Sequence, residues 1–210
     1  MDWCRKSVIA AALDLRTFVQ AERTPGQRIE IRSFRPFTAK AQFNPEKPAI
    51  NTESDLRYTQ ATLIALQREG IKIPGMRIRF LRAHEVQRSR RKASPPTTLE
   101  DLPVKKGLSS SAAVCVAVSA AADMLSREKP PDPGKEFSKE ALSRYADLAY
   151  TAERKILGVN CGQMDQYASA FGGLTHIDCT AEPAKLTPLK TSIELPLVIG
   201  DTGQQKLSLI

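Results

Sequence analysis

Gly107 and the three serines at 109–111 lie in the segment LPVKKGLSSSAAVCVAVSAAADML (102–125). Their backbone N–H groups and hydroxyls could bind an anion or a metal ion. The small apolar residues after them predict a buried helix, so the serines would stand at its N-terminus. The first four N–H groups of a helix lack intrahelical partners and carry about half a positive charge. A glycine lets an anion approach the backbone, and serine hydroxyls supply further donors or a Mg²⁺ ligand. The segment therefore has the chemistry of a phosphate-binding turn.

The same segment has a simpler interpretation as a helix cap. Serine is a good N-cap residue, and the turn has neither the Gly-Lys-[Ser/Thr] of a Walker A loop nor the glycines of a dinucleotide-binding turn. Lys105 and Lys106, directly upstream, add positive charge that would suit a phosphate. The segment taken alone leaves both interpretations open.

Two carboxylates farther along the chain could complete a phosphoryl-transfer site. Asp165 lies at the start of a predicted short helix, where an aspartate could equally cap the helix or complement its dipole. Glu153 lies at the edge of the apolar stripe of another helix, so it should face protein or a cleft, although a salt bridge to Arg154 or Lys155 is the alternative. A phosphate cradle, a carboxylate for Mg²⁺ and a carboxylate beside a hydroxyl proton are the parts of such a site.

Hydrophobic periodicity predicts the elements that must position these groups. The predicted elements are strands over 28–35 and 75–83 and helices over 52–70, 112–125 and 138–158. Thr52 and Asp55 form a capping-box pattern at the start of the first helix, and Gly70 would end it. The mixture of strands and helices favours an α+β fold or a mixed α/β layer fold.

The net charge of +8 is concentrated in RAHEVQRSRRKASPP (82–96). We interpret this segment as a solvated loop, with a patch for an anionic partner as the alternative. It contains no aromatic residue to stack on a base, which disfavours a nucleic-acid partner, although the net charge keeps a nucleic-acid-binding protein as an alternative.

Length and composition bound the class of protein. The 210 residues suit one domain, or one and a half, with a sizeable core. No apolar run approaches the roughly 20 residues of a membrane span, and the charges within residues 1–15 do not fit a signal peptide, so we expect a cytoplasmic protein without a membrane partner. Four cysteines without a CxxC pair and only two histidines indicate neither a zinc site nor a disulfide framework.

Two segments match motifs of a known family. LPVKKGLSSSAA (102–113) resembles the second, phosphate-binding motif of the GHMP kinases, the superfamily of galactokinase, homoserine kinase, mevalonate kinase and phosphomevalonate kinase. ERKILGVNCGQMDQYASAFGG (153–173) is similar to a segment of the galactokinase-like branch, in which a glutamate precedes Gly-Val-x-Cys-Gly-x-Met-Asp-Gln. The MDW start resembles the end of the first motif, His-x-Asp-Tyr. Two motifs in this order, about 40 residues apart, are far more specific than either alone.

The resemblance implies a role for each matching residue. Ser111 would ligate Mg²⁺ together with Glu153, and Asp165 would stand beside the acceptor hydroxyl as a base or orienting group. Gly162 would approach a sugar through its backbone, and Asp2 would hydrogen-bond a sugar hydroxyl. The residues around the ATP phosphates would be Lys106, Gly107, Leu108, Ser109, Ser110, Ser111 and Ala112.

The resemblance also implies a fold and domain boundaries. The fold would be the α+β N-terminal domain of the family, similar to domain 2 of ribosomal protein S5, over residues 1–210. The chain begins inside the first motif and ends before the third, glycine-rich one. We therefore expect a fragment, incomplete at its N-terminus and without the C-terminal GHMP domain. A basic segment near 85–100 looks like an insertion.

The function implied is that of an ATP- and Mg²⁺-dependent kinase acting on a sugar hydroxyl, as galactokinase acts on the anomeric one. A different acceptor, such as mevalonate, homoserine or a uronic acid, is the alternative within the enzyme class. A non-catalytic domain that binds a sugar or a nucleotide is the alternative outside it.

Overall fold

The computed structural model describes residues 5–33, 38–89, 100–128, 136–190 and 199–200. Its strands are β1 (Ser7–Ala11), β2 (Leu15–Arg16), β3 (Phe18–Arg23), β4 (Ile29–Ser33), β5 (Ala39–Phe43), β6 (Met76–Leu81), β7 (Glu100–Asp101), β8 (Leu174–Asp178) and β9 (Lys185–Pro188). Its helices are α1 (Arg57–Arg68), α2 (Ala83–Ser89), α3 (Ser110–Ser126), α4 (Lys139–Tyr150) and α5 (Met164–Phe171), with a π-helical segment at Thr151–Ile156. The α+β fold predicted from the sequence is confirmed.

A four-stranded sheet with the order β3-β6-β4-β5 supports the larger core. β6 pairs antiparallel with β3 and parallel with β4, and β4 pairs antiparallel with β5. Because side chains alternate along a strand, Ile29 and Ile31 of β4 and Met76 and Ile78 of β6 turn to the same face, where all four are buried. The apolar faces of α1, α3 and α4 pack on that face and complete the core.

A smaller antiparallel sheet, in the order β1-β8-β9, supports α5. Tyr167 of α5 and Ile177 of β8 are fully buried in a second apolar cluster at this interface. The Tyr167 hydroxyl donates a hydrogen bond of 2.8 Å to Asp147 of α4, which fixes α5 against the neighbouring helix. The first turn of α5 is thereby held beside the end of α4.

Helices α3 and α4 run antiparallel and meet at both ends. Near the C-terminus of α3, Asp123 contacts Tyr145 in the middle of α4. At the other end, Ser111 in the first turn of α3 lies beside Glu153, just beyond the end of α4. α4 continues there as the π-helical segment, a wider turn that is found frequently at functional sites.

The predicted helix over 52–70 begins later than the capping-box pattern suggests. α1 starts at Arg57, and its N-cap Leu56 has no side-chain cap, so the prediction for Thr52 and Asp55 is wrong. The Asn51 side chain accepts the N–H of Glu53 at 3.1 Å, and the Ser54 hydroxyl accepts the N–H of Leu56 at 3.1 Å. These local bonds offer the backbone turns in place of a first helical turn.

The loop prediction for 82–96 is also wrong where it can be compared, because residues 83–89 form α2. The Asp101 carboxylate accepts the N–H of Ala83 at 2.8 Å, and the Glu85 carboxylate accepts the N–H of Arg82 at 2.7 Å. These two acceptors satisfy N–H groups that a helix start leaves free. Residues 90–99, the rest of the basic segment, lie outside the described residues.

In the described ranges, no helix has both the length and the apolar content needed to cross a bilayer.

Candidate active site

The backbone before α3 has the conformation of an anion-binding turn. Alternate residues Lys105, Gly107 and Ser109 adopt positive φ values of 60°, 79° and 58°. Left-handed residues within a turn can bring successive backbone N–H groups to one side, as in the anion-binding concavities of phosphate-binding loops. Serine rarely adopts this conformation, so its presence at Ser109 identifies a turn whose shape the surroundings impose.

The helix-cap interpretation of the serines does not describe this turn. Ser109 occupies the N-cap position of α3, yet its side chain makes no capping hydrogen bond. The Ser110 hydroxyl accepts a long hydrogen bond of 3.4 Å from the Lys105 N–H, which closes the turn on itself. The first N–H groups of α3 therefore keep the donor capacity that a serine cap would have used.

Glu153 is a buried carboxylate that receives only neutral hydrogen bonds. Its residue is 2% exposed, and the Gln166 side-chain amide donates to its Oε2 at 2.6 Å. Burial raises the pKa of Glu153, hydrogen bonds from Ser111 and Gln166 lower it, and the charge of Asp165 raises it further. Among the described residues, no lysine, arginine or histidine forms an ion pair with Glu153. The salt bridge to Arg154 or Lys155 considered from the sequence is not formed.

Asp165 lies in the first turn of α5 and lines a cavity with a volume of about 540 Å³. The same cavity is lined by Gly107, Leu108 and Ser109 of the turn before α3. The structure therefore brings the predicted phosphate-binding backbone and the predicted acceptor-side carboxylate to one space. Helix α3 supplies its apolar wall through Ala113, Val116 and Ala117.

The side chains present fit Mg²⁺ and a phosphate chain. Mg²⁺ prefers hard oxygen ligands such as the Ser111 hydroxyl and the Glu153 carboxylate, which the structure places side by side. The uncompensated charge of Glu153 suits a cation, and the positive-φ turn suits an anion. The candidate cation ligands and the candidate anion-binding turn therefore lie together at the start of α3.

The other residues predicted for the site take different places. Ala112 is buried beneath the first turn of α3. Lys106 lies in the turn, beside Gly107 and Leu108. Gly162 lines a separate, smaller cavity of about 360 Å³ rather than the cavity of Asp165. Asp2 lies outside the described residues.

Sequence reasoning missed Gln166, although it follows Asp165 in the quoted motif. Gln166 is fully buried, and its amide nitrogen contacts both the Glu153 carboxylate and, at 3.8 Å, the Cys161 sulfur. Its Oε1 atom is buried without a hydrogen-bond partner. The described part of the chain offers this oxygen no donor, while the amide nitrogen is held by Glu153 at 2.6 Å. The only signal in the sequence was its position directly after the aspartate.

Residues 58–173 match the protein family described as GHMP kinases N terminal domain. The chain belongs to the GHMP kinases. The matched range contains the turn before α3, Glu153 and Asp165, whereas residues 11–17, which also line the cavity of Asp165, lie outside it. The resemblance inferred from the two motifs is confirmed at the level of the family.

Relatives of this GHMP kinase chain include enzymes with different acceptors. Mevalonate kinase of Thermococcus gammatolerans is 32% identical over 200 residues, which are 94% of this chain and 52% of the relative. Galactokinase of Thermococcus kodakarensis is 32% identical over 178 residues, covering 81% of this chain and 40% of the relative. The crystal structure of Lactococcus lactis galactokinase complexed with galactose superposes with a TM-score of 0.63 at 20% identity, over 90% of this chain and 43% of that one. At 20% identity, the similarity to the Lactococcus lactis structure shows a shared fold alone.

The chain spans about half the length of the curated relatives it matches, or less. Similarity at this level does not favour the galactokinase-like branch over the mevalonate kinases, because both are matched at 32% identity. The choice of acceptor must be argued from the residues of this chain.

Proposed function

We propose that this chain is the ATP-binding part of a small-molecule kinase that transfers the γ-phosphoryl group of Mg²⁺-ATP to an acceptor hydroxyl. The observation that carries the proposal is Glu153, a buried carboxylate that lies beside Ser111 and has only neutral hydrogen-bond donors. A buried charge is normally paired or bound to a metal. Glu153 lies beside the first turn of α3, next to a turn shaped for an anion. That position fits a metal ion that binds phosphates.

The chain's own residues would position the reactants and neutralise charge. The backbone N–H groups of residues 107–111 would bind the phosphate chain, and Ser111 and Glu153 would hold the metal. Mg²⁺, when bound, neutralises charge that develops on the phosphoryl oxygens. Asp165 would accept the proton of the acceptor hydroxyl or orient that hydroxyl, since it lines the same cavity as the turn. Such a mechanism depends mainly on positioning and electrostatic stabilisation.

The acceptor we propose is a small polar alcohol, with a sugar hydroxyl as the first candidate. The Cys-Gly-x-Met-Asp-Gln segment and the galactokinase relative support a sugar, whereas the mevalonate kinase relatives support mevalonate. A cytoplasmic location, where ATP is available, fits this function.

Calorimetric titration of the chain with ATP, with and without Mg²⁺, tests the proposal. We expect Mg²⁺ to strengthen ATP binding, and we expect a Ser111→Ala, Glu153→Ala variant to lose this increment. Asp123→Asn would be the matched control, because it removes a buried carboxylate from the opposite end of α3. Failure of the folded chain to bind ATP, or equal binding with and without Mg²⁺, would contradict the proposal.

A further inference from the structure

The second cavity has a different chemical character from the first. Its volume is about 360 Å³, and its floor is the segment Cys161, Gly162 and Gln163, which leads directly into α5. Its charged lining residues are Arg5, Arg154, Lys155 and Glu182. Three cations therefore face one carboxylate in a space large enough for a small organic molecule.

The positive charge of this cavity is only partly compensated within the chain. Lys155 forms an ion pair with Glu182 at 2.7 Å, and Arg5 also contributes to lowering the pKa of Glu182. Arg154 donates to the Asn160 side chain at 2.7 Å and to the Val159 carbonyl at 3.4 Å, both of which are neutral. No carboxylate is paired with Arg154 in the part of the chain that the structure describes. The lining therefore carries a net charge of about two positive units.

The cavity is connected to the candidate active site by one side-chain contact and by residues adjacent in sequence. Cys161, in its floor, contacts Gln166 at 3.8 Å, and Gln166 holds Glu153. Arg154 directly follows Glu153 in the π-helical segment, so one residue faces the proposed metal position while the next lines the second cavity. Gln163, which lines this cavity, lies two residues before Asp165, which lines the first one.

We propose that the cavity lined by Arg5, Arg154 and Lys155 binds an anionic group of the acceptor, a carboxylate or a phosphate, while the acceptor hydroxyl is presented to Asp165. This inference rests on the proposed function, because it assigns the substrate class of the same site. It predicts that an acidic acceptor, such as a uronic acid, a sugar phosphate or a hydroxy acid, binds better than its neutral counterpart.

Binding of matched acceptor pairs to the chain tests this inference. Galactose, galacturonate and galactose 6-phosphate have the same ring and differ in charge at one carbon, while mevalonate and its neutral lactone form a second series. We expect an acidic member of one series to bind at least about fivefold more tightly than its neutral partner, the effect of about one kcal/mol of ion pairing. Comparison of galacturonate with galactose 6-phosphate distinguishes a carboxylate site from a phosphate site. Equal or tighter binding of the neutral members would overturn the inference.

Variants of the cavity locate the effect. Arg154→Gln and Arg5→Gln should each weaken binding of the acidic ligand about fivefold, whereas Lys72→Gln, which removes an exposed charge outside the cavity, should leave it unchanged. Arg154→Lys keeps the charge and should retain most of the affinity. A loss in Arg154→Lys as large as in Arg154→Gln would mean that the bonds to Val159 and Asn160 matter rather than the charge, and the inference would be wrong.

The outcome separates this inference from the proposed function. Titration with Mg²⁺-ATP is carried out on the same chain and depends on Ser111 and Glu153, not on Arg5 or Arg154. Mg²⁺-dependent ATP binding together with a preference for neutral acceptors would leave the kinase proposal standing and overturn the anionic cavity. Absence of ATP binding together with charge-dependent binding of the acids would do the reverse.

Discussion

The two ends of the α3–α4 pair each bury a carboxylate, and they treat its charge in opposite ways. Asp123, 4% exposed, accepts hydrogen bonds from the Tyr145 hydroxyl at 2.8 Å, from Arg127 at 2.6 Å and from Arg144 at 3.2 Å. Glu153, 2% exposed, has a glutamine amide and a serine hydroxyl as its partners, with the like charge of Asp165 close by. The two carboxylates are equally buried, but only the negative charge of Asp123 is compensated by cations of the chain.

Under the proposed function, this difference distinguishes a structural carboxylate, Asp123, from a metal-binding one, Glu153. At Asp123 the cations that offset its charge belong to the protein, so the cluster is complete when the chain folds. At Glu153 the described residues supply donors but no positive charge, which is why we propose that a cation from outside the chain binds there. Buried carboxylates are thus informative through their partners, more than through their burial.

The largest expected effect is a loss of activity on changing Asp165. Asp165 is a third carboxylate, and it adds negative charge to the end of the α3–α4 pair that contains Glu153. Asp165→Asn should lower kcat of the phosphoryl transfer about 10²–10⁴-fold, the usual contribution of a general base, because an amide cannot accept the hydroxyl proton. Binding of Mg²⁺-ATP should be nearly unchanged. The measurement is steady-state kinetics of the protein that contains this domain, beside calorimetry. Loss of ATP affinity with unchanged kcat would remove Asp165 from the proposed role.

The next effect tests whether Asp123 is structural. Asp123→Ala should lower the free energy of unfolding by about 3 kcal/mol, because it leaves the buried Tyr145 hydroxyl and two arginines without their acceptor. Urea denaturation measures the change. Glu22→Ala, which removes a half-exposed partner of Arg77, is the control and should cost less than about 1 kcal/mol. A loss for Asp123→Ala no larger than for the control would remove the distinction between the two ends.

Gln166 offers a smaller test at the Glu153 end. Gln166→Leu should weaken the Mg²⁺-dependent increment of ATP binding about tenfold, the usual cost of losing an outer hydrogen bond to a metal ligand, because Glu153 is no longer oriented. ATP binding without Mg²⁺ should stay the same, which a general loss of structure would not allow. Gln67→Leu removes a partly buried glutamine of α1, bonded to the Pro45 carbonyl, and serves as the control. Equal losses in both conditions would mean that Gln166 has only a packing role.

The smallest expected effect is a gain of stability. Because the pKa of Glu153 is raised in the folded chain, its ionisation destabilises the fold as pH rises through that value. Glu153→Gln should therefore raise Tm at pH 7 by roughly 2–4 °C, the response to about 1 kcal/mol in a domain of this size. The gain should vanish below pH 4.5, the ordinary pKa, where the wild-type side chain is neutral in both states. Thermal unfolding followed at several pH values gives the answer, and a Tm that falls at pH 7 would contradict the comparison.

The sequence was sufficient to predict the elements that carry a strong hydrophobic pattern. The helices over 112–125 and 138–158 exist as α3 and as α4 with its π-helical continuation, and the strand over 75–83 exists as β6. Glu153 was expected to face protein from its place on the helix stripe, and it is buried. Cys115, inside the apolar run that predicted α3, is fully buried. Hydrophobic periodicity predicts these helices and strands because each of them buries one face against the core.

Long-range contacts explain what the sequence did not predict. α2 starts where Asp101, 18 residues away, accepts the N–H of Ala83, and no local pattern shows such an acceptor. α1 starts late because Asn51 and Ser54 form turns that compete with a first helical turn. The pairing of Asp123 with Arg144 and Tyr145 depends on how two helices pack, which periodicity alone does not specify.

The complete cluster around Asp123 has a consequence for how the chain opens. A helix fixed at one end by several buried bonds, and packed between other helices and a strand, loses its hydrogen bonds only when the whole domain unfolds. Amide protons in the second half of α3 should exchange with solvent slowly, whereas those of the turn at residues 107–111 should exchange fast. Hydrogen exchange would then detect a bound phosphate as slowed exchange confined to the first turn of this helix.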